Sequence, residues 1–280
     1  MTLPPSNEIK KQVQQALNED IATGDVTAEL IATDKEAHAQ LICREEAILC
    51  GRDWFNHAFY LLDNSIDIHW FFTEGQRLKE NDIVCEISGN ARHILSSERT
   101  ALNFLQTLSA TASTTNQYVK AVAGTSCKIL DTRKTIPNLR LAQKYAVSCG
   151  GGVNHRIGLY DMVLIKENHI QAAGSITAAV TMARKNQPTL KIEVEAENLD
   201  ELQQALDNKV NRVLLDNMDI KTLEKAVALT NKQTDLEASG NITLETIRAV
   251  AETGVDYIST GAITKNITAV DFSLRFIEES

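Results

Sequence analysis

Between Leu130 and His169 the chain reads LDTRKTIPNLRLAQKYAVSCGGGVNHRIGLYDMVLIKENH. This segment gathers six lysines or arginines (Arg133, Lys134, Arg140, Lys144, Arg156, Lys166) against three acids (Asp131, Asp161, Glu167). The whole chain, by contrast, has a formal charge of −9. A cationic segment inside an acidic protein suits a pocket for a small polyanion better than a nucleic-acid or anionic-membrane surface. The cations come in bursts, Arg133-Lys134, then His155-Arg156, then Lys166, with apolar or glycine-rich sequence between them. That spacing fits loops converging on one point. Arginine forks match carboxylates two-pronged, whereas lysine acts as a point charge. Arg140 and Lys144, four apart on a predicted helix, are expected to be solvated. Gly150 to Gly152 are expected to end that helix. His169 fits either a cap or a site residue.

Short β-branched runs alternate with helical periods from Lys128 onward. The strand candidates are KILD, MVLIK, LKIEVE, NRVLLD, DLEAS and DYIST, and LRLAQKYAV, SITAAVTMARKN, LDELQQALDN, IKTLEKAVALTN and TLETIRAVAET lie between them. Their apolar residues recur at helical spacing. Parallel β-α units result, about six of them, which is an incomplete α/β barrel or a doubly wound sheet. The strands end at Asp131, Lys166, Glu195, Asp216, Ser239 and Thr260. Parallel barrels carry their chemistry at the carboxyl ends of their strands, so these residues are expected around one mouth.

The first part of the chain reads as a separate α+β sandwich domain. It opens with the amphipathic NEIKKQVQQALNED, and GQRLKENDIVCEISG looks like a hairpin turning at Glu80-Asn81-Asp82. A long helix is predicted from Ala91 to Ala123, with small residues at Ala110, Thr111, Ala112 and Ser113 for close packing. The expected division is 1–112 for the sandwich and 113–267 for the barrel, with the tail 268–280 packed on the first domain. Five cysteines without close spacing read as free thiols of a reducing compartment. With no signal-like amino terminus and no apolar run of spanning length, the expected location is cytoplasmic, without membrane or nucleic-acid partners.

Eight motifs, taken in order, carry a family resemblance. They are LNEDIATGDVT, SSERTALNFLQTLS, LDTRKTIPNLRLAQKYAV, CGGGVNHRIGLYDMVLIKENHI, IEVEAENLDEL, VLLDNMD, LEASGNI and GVDYISTGAIT. Together they resemble the quinolinate phosphoribosyltransferases, the carboxylating nicotinate-nucleotide pyrophosphorylases, over nearly the whole chain. Two departures are Asn138, where glycine is usual, and the small-residue run Ser109 to Ser113.

The resemblance implies phosphoribosyl transfer from phosphoribosyl pyrophosphate to quinolinate with decarboxylation. The products would be nicotinate mononucleotide, pyrophosphate and carbon dioxide, in de novo NAD biosynthesis. It implies a homodimer or an oligomer of dimers with shared active sites. Arg133, His155, Arg156 and Lys166 would hold the pyridine dicarboxylate, joined by Arg99 from a neighbouring subunit. Lys134 would face the pyrophosphate, and Thr132 would be a further substrate-binding residue. Ser239, Gly240, Asn241, Gly261 and Ala262, just before helices, would offer backbone N–H groups to the 5′-phosphate. Glu195 and Asp216 would hold Mg²⁺ with phosphoribosyl pyrophosphate, directly or through water. Lys134, Lys166, Glu195 and Asp216 are the candidate catalytic groups. The alternatives are a related phosphoribosyltransferase for nicotinate or another base, and a Schiff-base lyase using Lys166.

Overall fold

The computed structural model describes residues 2–277, and the chain divides into two compact units. The first comprises the residues up to Asn116, Ile136–Gly151 and the residues from Asn266 onward. Its helix α1 (Ser6–Ile21) buries Ile9, Val13 and Leu17, four residues apart and so on one face. There follow β1 (Glu36–Cys43), β2 (Ala47–Ile48), α2 (Arg52–Tyr60), β3 (Asp67–Trp70), β4 (Arg77–Leu78), β5 (Ile83–Asn90) and the long α3 (Ala91–Ala121). Strand β1 buries every second residue, Ala39, Leu41 and Cys43, as a strand with one face on a core must. The chain's end supplies β12 (Phe272–Ile277), which pairs antiparallel with β1, so that the sheet runs β12-β1-β5-β3. The last three tail positions, 278–280, lie outside the described residues. Trp54, Phe55 and Phe59 of α2 anchor the core with Leu41, Ile87 and Ile94. Each such side chain contributes about 1.5–3 kcal/mol by leaving water.

Two expectations need correction here. The turn at Glu80-Asn81-Asp82 is present, with Asn81 at φ +68°, but it does not close a hairpin. Strand β4 pairs with β2, because both sides of β5 are taken by β1 and β3. The first boundary between the compact units lies within α3. It falls after Asn116, and residues 136–151 cluster with the first unit. These residues include α4 (Arg140–Cys149), whose close approach to α3 explains the assignment. A Cβ on Gly150 would lie 2.3 Å from the Ala112 carbonyl oxygen, and the Gln143 amide donates to Thr111 Oγ1 at 3.3 Å. The small residues of α3 are what permit this. Packing so tight buries Lys144 completely and Arg140 in part, so neither is the solvated residue the spacing suggested. Asn138 adopts φ +64°, the left-handed conformation that glycine would take there.

The second unit, Gln117–Thr135 with Gly152–Lys265, holds the parallel strands. They are β6 (Lys128–Leu130), β7 (Val163–Ile165), β8 (Ile192–Ala196), β9 (Arg212–Asp216), β10 (Asp235–Ser239) and β11 (Tyr257–Ser259). Helices α5 (Glu167–Ala173), α6 (Ile176–Asn186), α7 (Leu199–Asp207), α8 (Ile220–Thr230), α9 (Ile247–Glu252) and α10 (Ala262–Lys265) connect or follow them. The sheet order is β6-β11-β10-β9-β8-β7, so the last strand returns to the first and one seam, between β6 and β7, stays open. This is the incomplete α/β barrel. Side-chain caps start its helices: Ser175 accepts from the Ala178 N–H, Asn198 from Glu201 and Asp219 from Thr222. Such caps are each worth about 1 kcal/mol. Residues Ile192, Val194, Val213, Leu215, Leu236 and Ala238 alternate along the strands and are buried.

Candidate active site

The opposite parity of the same strands builds the site. Leu164 and Lys166, Glu193 and Glu195, Leu214 and Asp216, and Glu237 and Ser239 are each two apart, so each pair shares one face of the sheet. At the carboxyl ends of the strands all of these except the fully buried Glu193 enclose a cavity of about 380 Å³ with Thr132, Arg133, Lys134, His155, Arg156 and Ser259. A cavity of that size accommodates small ligands. A hollow of about 440 Å³ in the first unit is lined by Gln12, Gln15, Glu19, Asp20 and Asn103 among others, with no Lys or Arg in its wall. It offers nothing to a polyanion.

Asp131, fully buried just past β6, organises the cationic side. Its carboxylate accepts from the Asn154 amide at 2.6 Å and the His155 N–H at 2.9 Å, which fastens the 153–156 loop beside the strand end. Asp161 then accepts from the N–H groups of Ile157 (2.7 Å) and Gly158 (2.9 Å), closing the loop beyond. Arg156 is thereby held near Arg133. Burial lowers the Arg156 pKa, and the Arg133 charge lowers it further. Two guanidiniums kept together against repulsion mark a place for an anion. Thr132 Oγ1 accepts from the Lys134 N–H at 3.0 Å, and the Lys134 carbonyl accepts from Thr264 Oγ1 at 2.8 Å, so that turn is fixed too.

The acidic side faces it. Lys166 Nζ bonds Glu195 Oε2, and the Glu195 side chain is 7% exposed. Burial raises the Glu195 pKa, Lys166 opposes the rise, and the charge of Asp216 adds to it. Asp216 Oδ2 also accepts from the Asn217 amide at 2.7 Å. His169 acts as a cap: its Nδ1 accepts the Lys166 backbone N–H at 3.0 Å at the start of α5. Seven residues long and with none of them buried, α5 carries no apolar pattern that would mark it as a helix in the sequence.

Below the mouth lies a buried network. His155 Nε2 is 3.0 Å from Glu193 Oε2 and 3.4 Å from Glu237 Oε2, and Arg212 reaches Glu237 at 3.1 Å. Burial pulls the His155 ring down, but the two carboxylates outweigh it and push it up to about 9. The Arg156 N–H, however, donates to His155 Nδ1 at 2.7 Å, which requires that nitrogen unprotonated. The hydrogen bond is direct geometry, so we assign the neutral, Nε2-protonated ring. Burial, and then the charge of Glu237, raise the Glu193 pKa. His155 therefore lines the cavity with both ring nitrogens engaged by the protein. His155, Glu193 and Glu237 are close enough to hold a cation, but Arg212 already supplies one there.

Other site candidates fall into place differently. Ser239 lines the cavity, whereas Gly240 and Asn241 follow it in a loop of left-handed residues, φ +99° and +50°, with α9 beginning only at Ile247. The expectation that they immediately precede a helix is corrected: the loop must turn sharply under Asn217, whose Oδ1 would lie 2.1 Å from a Cβ on Gly240. Gly261 does precede a helix, the four-residue α10 that Ala262 opens, and a Cβ on Gly261 would meet Lys134 Cδ at 2.8 Å. Arg99 is exposed on α3 of the first unit. Asp131's anchoring role and the Glu193, Glu237 and Arg212 network escaped the sequence reading. Strand parity could have found both glutamates, two residues before Glu195 and Ser239.

An open parallel barrel whose mouth sets paired guanidiniums and lysines against a carboxylate pair defines an enzyme for small anionic substrates. The model of the quinolinate phosphoribosyl transferase C-terminal domain matches residues 111–275, and that of the N-terminal domain matches residues 25–109. A probable nicotinate-nucleotide pyrophosphorylase [carboxylating] of Synechocystis is 41% identical over 98% of this chain and 95% of its own length. The structure of the nicotinate-nucleotide pyrophosphorylase from Francisella tularensis is 50% identical, with TM-score 0.96 over 98% of this chain and 97% of its own. Human nicotinic acid phosphoribosyltransferase shares the fold alone, at 12% identity and TM-score 0.63 over 99% of this chain and 74% of its own. The chain belongs to the quinolinate phosphoribosyltransferase family.

Proposed function

We infer that this chain transfers the phosphoribosyl group of phosphoribosyl pyrophosphate to quinolinate and decarboxylates the product, giving nicotinate mononucleotide, pyrophosphate and carbon dioxide. The observation that carries the reading is the pairing of Arg133 with Arg156 across one cavity from Glu195 and Asp216. The guanidinium forks clamp the two ring carboxylates, with Lys166 adding charge, and so aim the pyridine nitrogen at the ribose carbon. That nitrogen attacks as pyrophosphate leaves toward Lys134 and Thr132. The ring nitrogen becomes positive and stabilises the carbanion left when the adjacent carboxylate departs, and a proton completes the product. Ser239, Gly240, Asn241, Gly261 and Ala262 surround the 5′-phosphate.

Glu195 and Asp216 fit a magnesium ion carried by phosphoribosyl pyrophosphate. They are hard oxygen donors, and a divalent cation would offset the burial and the Asp216 charge that raise the Glu195 pKa. Magnesium, when bound, offsets charge on the leaving pyrophosphate. Arg99, exposed on α3, suits service to a neighbouring subunit of a homodimer. Among the described residues no helix is long and apolar enough to cross a membrane, and all five cysteines are free. Free thiols fit a cytoplasmic setting. The Lys166 ion pair with Glu195 gives no support to a Schiff-base nucleophile.

Calorimetry of quinolinate with Arg133→Lys and Arg156→Lys tests the clamp. Each loses a fork while keeping its charge, so each should weaken binding by about 1.5–3 kcal/mol. Unchanged affinity in both would remove the arginines from the pyridine site.

A further inference from the structure

The first unit gathers three soft or anionic donors that the transfer reaction does not use. Cys50, fully buried ahead of α2, is fixed through its backbone: its N–H donates to Ser109 Oγ at 3.0 Å, and its carbonyl accepts from the same hydroxyl at 3.1 Å. Glu74 sits at the start of α2, its Oε1 accepting from the N–H groups of Gly51 (3.0 Å) and Arg52 (2.7 Å). Cys149, half-buried, ends α4 and is pressed on Gly75, where a Cβ would lie 3.3 Å from the Cys149 carbonyl oxygen. Its Sγ is 3.8 Å from Glu74 Oε2. One donor atom from each of Cys50, Glu74 and Cys149 lies within 4.8 Å of the other two.

We propose that Cys50, Cys149 and Glu74 form a binding site for a thiophilic divalent cation, zinc in particular. Zinc takes thiolates at about 2.3 Å and carboxylate oxygen at about 2.0–2.2 Å. Three donors already so close reach those distances with shifts on the order of an ångström. The fourth position of the tetrahedron is left to water, which enters past the half-buried Cys149 and Glu74. Two sulfurs with one carboxylate select against magnesium, which demands oxygen donors. The neighbouring cation, Arg52, has its guanidinium stacked 4.8 Å over Trp70. A disulfide is the rival use of the two thiols, but it requires the sulfurs to close to about 2.05 Å and gives Glu74 no part. Bound zinc would tie the end of α4 to the start of α2, which are far apart in sequence.

The test uses the full chain, stripped by chelator and kept reduced, titrated with Cd²⁺ and then with Zn²⁺ against a colorimetric chelator. Thiolate-to-cadmium charge-transfer absorption should saturate at one equivalent. Cys149→Ser and Cys50→Ser should each lose about half its intensity and weaken zinc at least about tenfold. Glu74→Gln, which keeps a cap on α2, should retain the band while binding more weakly, and Cys127→Ser should match the parent. Zinc, but not magnesium, should raise the melting temperature of the parent and not of Cys149→Ser. If Cys50→Ser does not fold, Cys149→Ser decides alone. A missing band, a band unchanged in Cys149→Ser, or a Cys50–Cys149 disulfide forming in place of metal binding would overturn the site.

Discussion

Arg133 and Arg156 are held together by residues that do not line the cavity. Buried Asp131 fastens the 153–156 loop, and Asp161 closes the loop beyond. The sequence showed the cations because charge bursts are conspicuous in an acidic chain. Strand parity puts Glu193 and Glu237 on the site face, but that they meet His155 and Arg212 is visible only once the strands are in register. On the acidic side, Glu195→Gln and Asp216→Asn keep shape and remove charge. Both should weaken phosphoribosyl pyrophosphate in the presence of magnesium at least about tenfold, while quinolinate binding to the free enzyme changes little. Separate titrations of the two ligands check this. Loss of quinolinate binding instead would place these carboxylates at the pyridine ring.

At the scale of elements, all six parallel strands were legible, because β-branched runs separated by helical periods have few other solutions. The failed hairpin at Glu80-Asn81-Asp82 shows the limit. Turn residues fix a local bend, but strand partners are chosen by the whole sheet, and β5 was claimed on both sides. Lys144 shows it again: a lysine four residues from an arginine reads as solvated until α4 is seen buried around most of its circumference. That burial depends on Gly150, where a Cβ would also meet Thr115 Cβ at 2.7 Å. Gly150→Ala should therefore destabilise the first unit by about 1–3 kcal/mol, visible as a lower thermal midpoint. An unchanged midpoint would mean that α3 and α4 yield easily.

The whole molecule raises two questions, whether subunits share a site and whether the reaction is the one inferred. Arg99 and Lys166 belong to different units of the chain. If Arg99 serves a neighbour, Arg99→Ala and Lys166→Ala are each nearly inactive, yet their mixed dimers contain one intact site. Random pairing makes about half the dimers mixed, so co-refolding should restore roughly a quarter of the parent activity. A mixture that stays inactive while mixed dimers demonstrably form would confine Arg99 to its own subunit. The reaction itself is tested most directly by label in the carboxylate next to the quinolinate nitrogen. Labelled carbon dioxide should appear in step with pyrophosphate and nicotinate mononucleotide, and only when quinolinate, phosphoribosyl pyrophosphate and magnesium are all present. Transfer to nicotinate at a comparable rate without carbon dioxide, or labelled carbon dioxide released without phosphoribosyl pyrophosphate, would contradict it.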